Sequence, residues 1–319
     1  MRLLRIVPDG TRFGFVRFRR FSFPFSAALS VATVIMFLQF GLHFGIDFTG
    51  GTLIELQAKS GKADVGAIRT AANAFGVGEV QVQEFGNAGG VSLRFPVVPG
   101  GDKAQGAGVQ KAHEAFDKDY EFRRVETVGP RVSGELVQSG TLGVVLSIIA
   151  VLTYLWLRFE HQFAFGAIIG TMHDIVLTIG FFVITRTEFN MTSIAAILTI
   201  VGYSLNETVV VFDRTRELLR RYKTMPVREL LDLSVNTTLS RTAMTATSAF
   251  LSLLALVLFG GSAIEGFAIV MLFGVVVCTY SAMFISSPAL MYLGIRTESS
   301  VPAEAEPEKK ANAKAKAAA

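Results

Sequence analysis

Cysteine is almost absent. Cys278 is the only one among 319 residues, so the chain cannot close an internal disulfide. Histidine is nearly as scarce, and His43, His113, His161 and His173 lie too far apart in sequence for a metal-binding spacing. Charged residues make up 18% of the chain against 51% hydrophobic, and the mean hydropathy is +0.47. A soluble globular domain carries more charge than this. Also missing are a phosphate-binding loop, a dinucleotide fingerprint and, within 43–136, any paired carboxylates or nucleophile triad. The chain reads as a non-enzymatic protein with no cofactor, no metal and no nucleic-acid partner.

What is abundant is apolar length. Six runs, 23–42, 137–157, 163–185, 190–212, 243–262 and 265–293, approach or exceed the ~20 residues needed to cross a bilayer. Pro288 is expected to bend or end the last. A basic arm, 1–22, precedes the first run with Arg2, Arg5, Arg12, Arg17, Arg19 and Arg20. No small-residue cleavage site follows, so 23–42 is expected as a retained signal-anchor. Arg158, the basic stretch from Arg214 to Arg228, and Arg296 with the tail lysines all fall on one side of a six-span count; the short links opposite carry only Arg186. That bias predicts cytoplasmic termini, a cytoplasmic loop at 213–241 and a lipid bilayer as solvent. The tail 296–319 is Ala-, Glu-, Pro- and Lys-rich and expected to be disordered.

Residues 43–136 form the one sizeable polar insertion. Gly50 and Gly51 in GIDFTGG mark a tight turn or a close backbone approach. Strands are expected at 52–58, 79–85, 91–97 and 120–128, helices at 63–75 and 109–116, and a loop at 99–108. The order strand, helix, strand, strand, helix, strand predicts an extracytoplasmic α+β domain of ferredoxin-like fold, inserted between the first two of six transmembrane helices. Asp47 and Glu55 read as turn or solvated carboxylates. Arg131 and Glu135, four apart, pair if their segment is helical.

The membrane core carries the chemistry. Glu207 stands at the middle of the fourth run, where a carboxylate is costly and functional by default, the alternative being a structural polar contact between packed helices. Thr199, Tyr203 and Glu207 recur every four residues and share one helix face. Gly202 and Asn206 form a neighbouring line. Arg241, Thr245, Ser248 and Ser252 define one face of the fifth run. Facing each other, these stripes would make a polar line with Glu207 and Arg241 as its ionisable pair. Moving an arginine toward or away from a buried carboxylate would release or load a proton. His173 and Asp174, mid-way along the third run, are expected about 100° apart, one facing the bundle interior and the other snorkelling or bonding the backbone.

The motifs GIDFTGG (45–51), GPRVSGEL (129–136), HDIV (173–176), GYSLNETVVVFDRTRE (202–217) and NTTLSRT (236–242) resemble those of the SecD/SecF family of protein-export membrane proteins, in its SecF branch. The resemblance implies half of a resistance–nodulation–division-type exporter, with SecD as the other half, in a bacterial inner membrane. It implies contact with the SecYEG channel and YajC. Unfolded preproteins would be handled after SecA has acted, using the proton gradient. The family's membrane carboxylate falls on Glu207, where aspartate is usual, its arginine on Arg241, and its HD pair on His173 and Asp174. A purely structural subunit is the alternative. A stand-alone small-molecule exporter is disfavoured, because one six-span half lacks large paired porter domains.

Overall fold

The computed structural model describes residues 8, 10–84, 89–98 and 102–295. Arg2, Arg5, Phe85, Arg296 and the tail 296–319 lie outside them. The chain divides into two compact units, one comprising 42–146 with 188–194 and the other the remaining segments.

The first unit is built on a four-stranded sheet. Its elements are α2 (Ile46–Thr49), β1 (Gly51–Ala58), α3 (Val65–Asn73), β2 (Gln81–Glu84), β3 (Gly90–Phe95), α4 (Asp102–Phe116) and β4 (Tyr120–Val128). The strands lie in the order β2-β3-β1-β4 with every neighbour antiparallel. Two helical crossovers around central β1 and β3 make this the expected ferredoxin-like fold. Ile54, Leu56, Leu93 and Phe95 alternate onto one sheet face and bury against Ile68 and Ala112 of the helices. Strand ends fall within about two residues of their expected places. The larger difference is α4, which begins at Asp102, although 99–108 reads as a loop. Glycine lowers helix propensity, but here Gly108 permits contact: a Cβ would sit 2.9 Å from Val77 Cγ1.

Two carboxylates differ from expectation. Glu55 is 8% exposed and lies 3.5 Å from Arg124 Nη1, so it is paired on the sheet rather than solvated. Burial works against the Arg124 charge, yet the hydrogen bond and charge of Glu126, with Glu55 and Glu188 nearby, hold its pKa above the usual value. Asp47 accepts the Met191 N–H at 2.8 Å, capping a helix start. Arg131 and Glu135 do pair, at 3.2 Å, but both are exposed, which limits the pair to roughly 0–1 kcal/mol. The double glycine has a steric cause. Gly51 has φ +118 and a Cβ there would overlap the Phe95 carbonyl oxygen; Gly50 has φ +70 with Val97 2.7 Å from its missing Cβ.

The second unit holds most of the helical bundle. Its helices are α1 (Arg19–Phe40), α5 (Pro130–Arg158) from Ser147, α6 (His161–Thr185), α7 (Met191–Arg221) from Ala195, α8 (Val227–Phe259) and α9 (Ser262–Ser281). A π-helical turn, Ala282–Ser286, and Ser287–Ala289 continue α9 through Pro288. Among the described residues six helical stretches are long and apolar enough to cross a membrane. About half of the most apolar window is buried in α6, α7 and the α9 run, against under a fifth in the α1 run, α5 and α8. The former three therefore form the centre. Small residues let them close: a Cβ on Gly274 would overlap Ile200, and one on Gly170 would overlap Ser286.

The basic segments are more ordered than the sequence suggests. The expected loop 213–241 is helical except at 222–226, because Pro226 sits outside α8 as its N-cap residue rather than within it. Thr215 and Ser234 hydroxyls bond at 2.7 Å, and Arg158 grips Asp213 through both oxygens. Of the basic arm, Phe15–Phe18 forms a 3-10 turn with Phe15 and Val16 buried. Asp232 accepts the Val16 N–H at 2.8 Å, and Asn236 bonds the Phe13 backbone through both ends of its amide. Gly51→Ala should destabilise the sheet domain by about 2 kcal/mol or more, from φ strain plus overlap with backbone. Gly106→Ala, in open helix, should be neutral or stabilising by up to ~1 kcal/mol. Thermal unfolding of the two variants checks the pair.

Candidate functional site

The bundle centre must satisfy carboxylates without water. Asp174, fully buried on α6, does so with three side chains. Ser204 of α7 donates to Oδ2 at 2.6 Å and Ser281 of α9 donates to the same oxygen at 2.9 Å. His173 Nδ1 lies 3.0 Å from Oδ1. Asp174 thus ties the three central helices together. Ser281 ends α9, and the π-helical turn that follows is held from α1 by Ser22, whose hydroxyl donates to the Phe284 carbonyl at 3.0 Å. A buried polar group left without partners costs about 1–3 kcal/mol, and these bonds remove that cost at the centre of the bundle. His173 and Asp174 are both inside and bonded to each other, not split between interior and surface; neighbouring side chains meet because both can lean to one face.

Glu207 is 2% exposed on α7 and differently held. Thr245 of α8 donates to its Oε1 at 2.8 Å. This is the contact that the two sequence stripes predict. The ionisable pair is not formed: Arg241 is exposed, and among the described residues no ion pair joins it to Glu207. Thr245 takes the place expected for Arg241 because the two are one helical turn apart on the same face. Tyr203 is half-buried with its hydroxyl shielded and unpartnered. Thr199, Asn206 and Ser248 are exposed, with Thr199 and Ser248 bonded to carbonyls of their own helices.

The sequence reading missed Ser204 and Ser281. Ser204 belongs to a second α7 line with Thr208 and Thr215, all three fully buried. The four- and seven-residue spacing of that line was available as a signal, but it was hidden beside the more conspicuous Glu207 stripe. Ser281 sits in an apolar run with nothing around it to mark a partner. Among the described residues no three His, Cys, Asp or Glu side chains gather to hold a metal.

A six-helix membrane bundle with carboxylates at its centre and a ferredoxin-like domain after the first helix is the class of one half of a resistance–nodulation–division-type transporter. The family described as protein export membrane protein SecD/SecF, C-terminal, matches residues 108–296, and the SecD/SecF GG motif matches 35–62. The chain belongs to the SecD/SecF family of protein-export membrane proteins. It is 40% identical to the protein translocase subunit SecF of Rickettsia bellii over 90% of this chain and 95% of that one. It is also 40% identical to SecDF of Brucella abortus, over 92% of this chain but 39% of the relative's length. The crystal structure of SecDF, a translocon-associated membrane protein from Thermus thermophilus, superposes with a TM-score of 0.79 at 30% identity, covering 89% of this chain and 39% of that one. The chain is thus a multi-pass inner-membrane protein of a transport family, and it matches the Rickettsia bellii SecF over 95% of that protein's length.

Ser204→Ala and Ser281→Ala should each lower stability by about 1–2 kcal/mol. The double variant should lose more than the sum, because one remaining donor matters more once the other is gone. Thermal unfolding of the purified protein in detergent measures both.

Proposed function

We propose that the chain works as a SecF-type subunit that couples the proton gradient to a late step of preprotein export, paired with SecD and acting at the SecYEG channel with YajC, after SecA. The observation that carries the reading is Glu207: a buried carboxylate in a membrane span, bonded to Thr245 and one turn from an exposed arginine on the same face of α8. That face, with Arg241, Ser248 and Ser252, and the adjacent Thr199 and Asn206 of α7, leaves polar groups uncovered. Uncovered hydroxyl and amide groups along the apolar part of these helices are costly against lipid, so the face calls for a polar helical partner. The chain spans 39% of the SecDF relative, and the rest of such a protein, or SecD as a separate chain, would supply that cover.

The chemistry follows from helix register. Sliding α8 by one turn, about 5.4 Å, would exchange Thr245 for Arg241 beside Glu207. A hydroxyl neighbour in a dry site leaves the neutral acid as the cheaper form, whereas a guanidinium favours the carboxylate and expels the proton. Each charge crossing 100 mV contributes about 2.3 kcal/mol, enough to bias domain movement. The charge bias supports cytoplasmic termini, so the proton would leave toward the side of Arg241 and the 222–226 turn.

Asp174, with all its bonds made, favours a structural role at that position, and a wholly structural subunit is the second reading. Preprotein export into inverted membrane vesicles, with and without a proton gradient, separates the two. Glu207→Gln should lose about tenfold or more of the gradient-dependent rate while the complex still assembles, and Glu207→Asp should keep most of it. Arg241→Lys should also fall, because the guanidinium fork and not charge alone is required. Unchanged gradient dependence in Glu207→Gln would leave only the structural reading.

A further inference from the structure

The bundle contains an apolar groove that proton coupling does not use. It lies between α1, α6 and the last helical turns and encloses about 480 Å³. That is within the ~300–1,000 Å³ typical of small-molecule pockets. Phe23 and Ala27 of α1, Ile169 of α6, and Ile285, Ala289 and Leu293 form its walls. Ser30 and the ring of His173 line its deep end. Tyr292 lines the other end, where Arg19 Nε donates to its hydroxyl at 3.1 Å and Phe23 packs at 5.8 Å between ring centroids. From Arg19 to Ser30 the helix rises about 16 Å, half the ~30 Å hydrocarbon thickness, so the groove is one leaflet deep.

The mouth is strongly basic. Residues 10–22 hold Arg12, Arg17, Arg19 and Arg20 and no carboxylate. Among the described residues none of these four side chains lies in an ion pair, and Arg17 and Arg20 are exposed. Exposed Phe18 and Phe21 flank these arginines in the chain, as aromatic residues do at a membrane interface. Arg19 also donates to the Val16 carbonyl and lies near Asp232, which leaves the guanidinium further N–H donors, and Arg20 beside it is exposed; such arginines at headgroup level above an apolar slot match an anion joined to an acyl chain. We infer that the groove binds one acyl chain of an anionic phospholipid, with the phosphate at Arg19 and Arg20. A zwitterionic lipid offers the same chain without net charge, so the arginines set the selectivity. The bound chain also covers the His173 ring, shielding the Asp174 cluster from water on that side. The leaflet follows from the proposed orientation; the binding itself does not depend on it, nor on export.

Trp156, on α5, is the only tryptophan, which permits a site-specific probe. The full chain carrying Trp156→Phe and Phe23→Trp is reconstituted in vesicles with brominated phosphatidylglycerol or brominated phosphatidylcholine of the same chains. Quenching of the introduced fluorophore should favour phosphatidylglycerol by about fivefold. Arg19→Gln with Arg20→Gln should bring the ratio close to one at an unchanged unfolding midpoint, and the corresponding lysine pair should restore most of it. Inorganic phosphate should not compete. Equal quenching by the two lipids, a preference that survives the glutamine pair, or displacement by inorganic phosphate would overturn the assignment.

Discussion

A carboxyl group buried in hydrocarbon needs hydrogen-bond partners, and that requirement organises the bundle. Asp174 meets it with Ser204, Ser281 and His173, and in doing so draws α6, α7 and α9 to a common centre. The glycines at 170 and 274 are the geometric counterpart: helices that approach closely enough to share one carboxylate cannot carry side chains at their crossings. The π-helical turn directly after Ser281 fits the same scheme, since it re-aims the chain where Gly170, Ser286 and Ser22 meet.

Glu207 contrasts with Asp174 in a way that divides the labour. Asp174 is held from three helices and has no freedom to change partners without unpacking the centre. Glu207 sits at the edge of the bundle, where α8 contributes one hydroxyl and is itself little buried. A helix whose apolar half is little buried, with two different donors one turn apart, is suited to exchange them.

Much of this was legible in the sequence, and the failures have physical reasons. Apolar runs of bilayer length identified all six spans, and period-two alternation located β1 and β4 to within a residue. Of the stripe containing Thr199, Tyr203 and Glu207, Glu207 meets the α8 face through Thr245, while Thr199 bonds its own helix. The stripe could not tell Thr245 from Arg241, because residues one turn apart share a face and only the helix register decides between them. Glycines at 106 and 108 concealed the start of α4, since glycine looks in sequence like a loop whether packing requires it, as at Gly108, or not, as at Gly106. Ser281 was invisible because a lone serine in an apolar helix gives no hint of a carboxylate 107 residues away.

The central claim is that Glu207 takes up and releases a proton as its α8 neighbour changes. Infrared difference spectroscopy of the full chain assembled with SecD in proteoliposomes, recorded as a proton gradient is imposed, reads carboxylic-acid protonation directly. The account predicts a protonated-carboxyl band that changes with the gradient and disappears in Glu207→Gln while Asp174 is intact. A gradient-dependent band unaltered by Glu207→Gln, or none in the native protein, would contradict it.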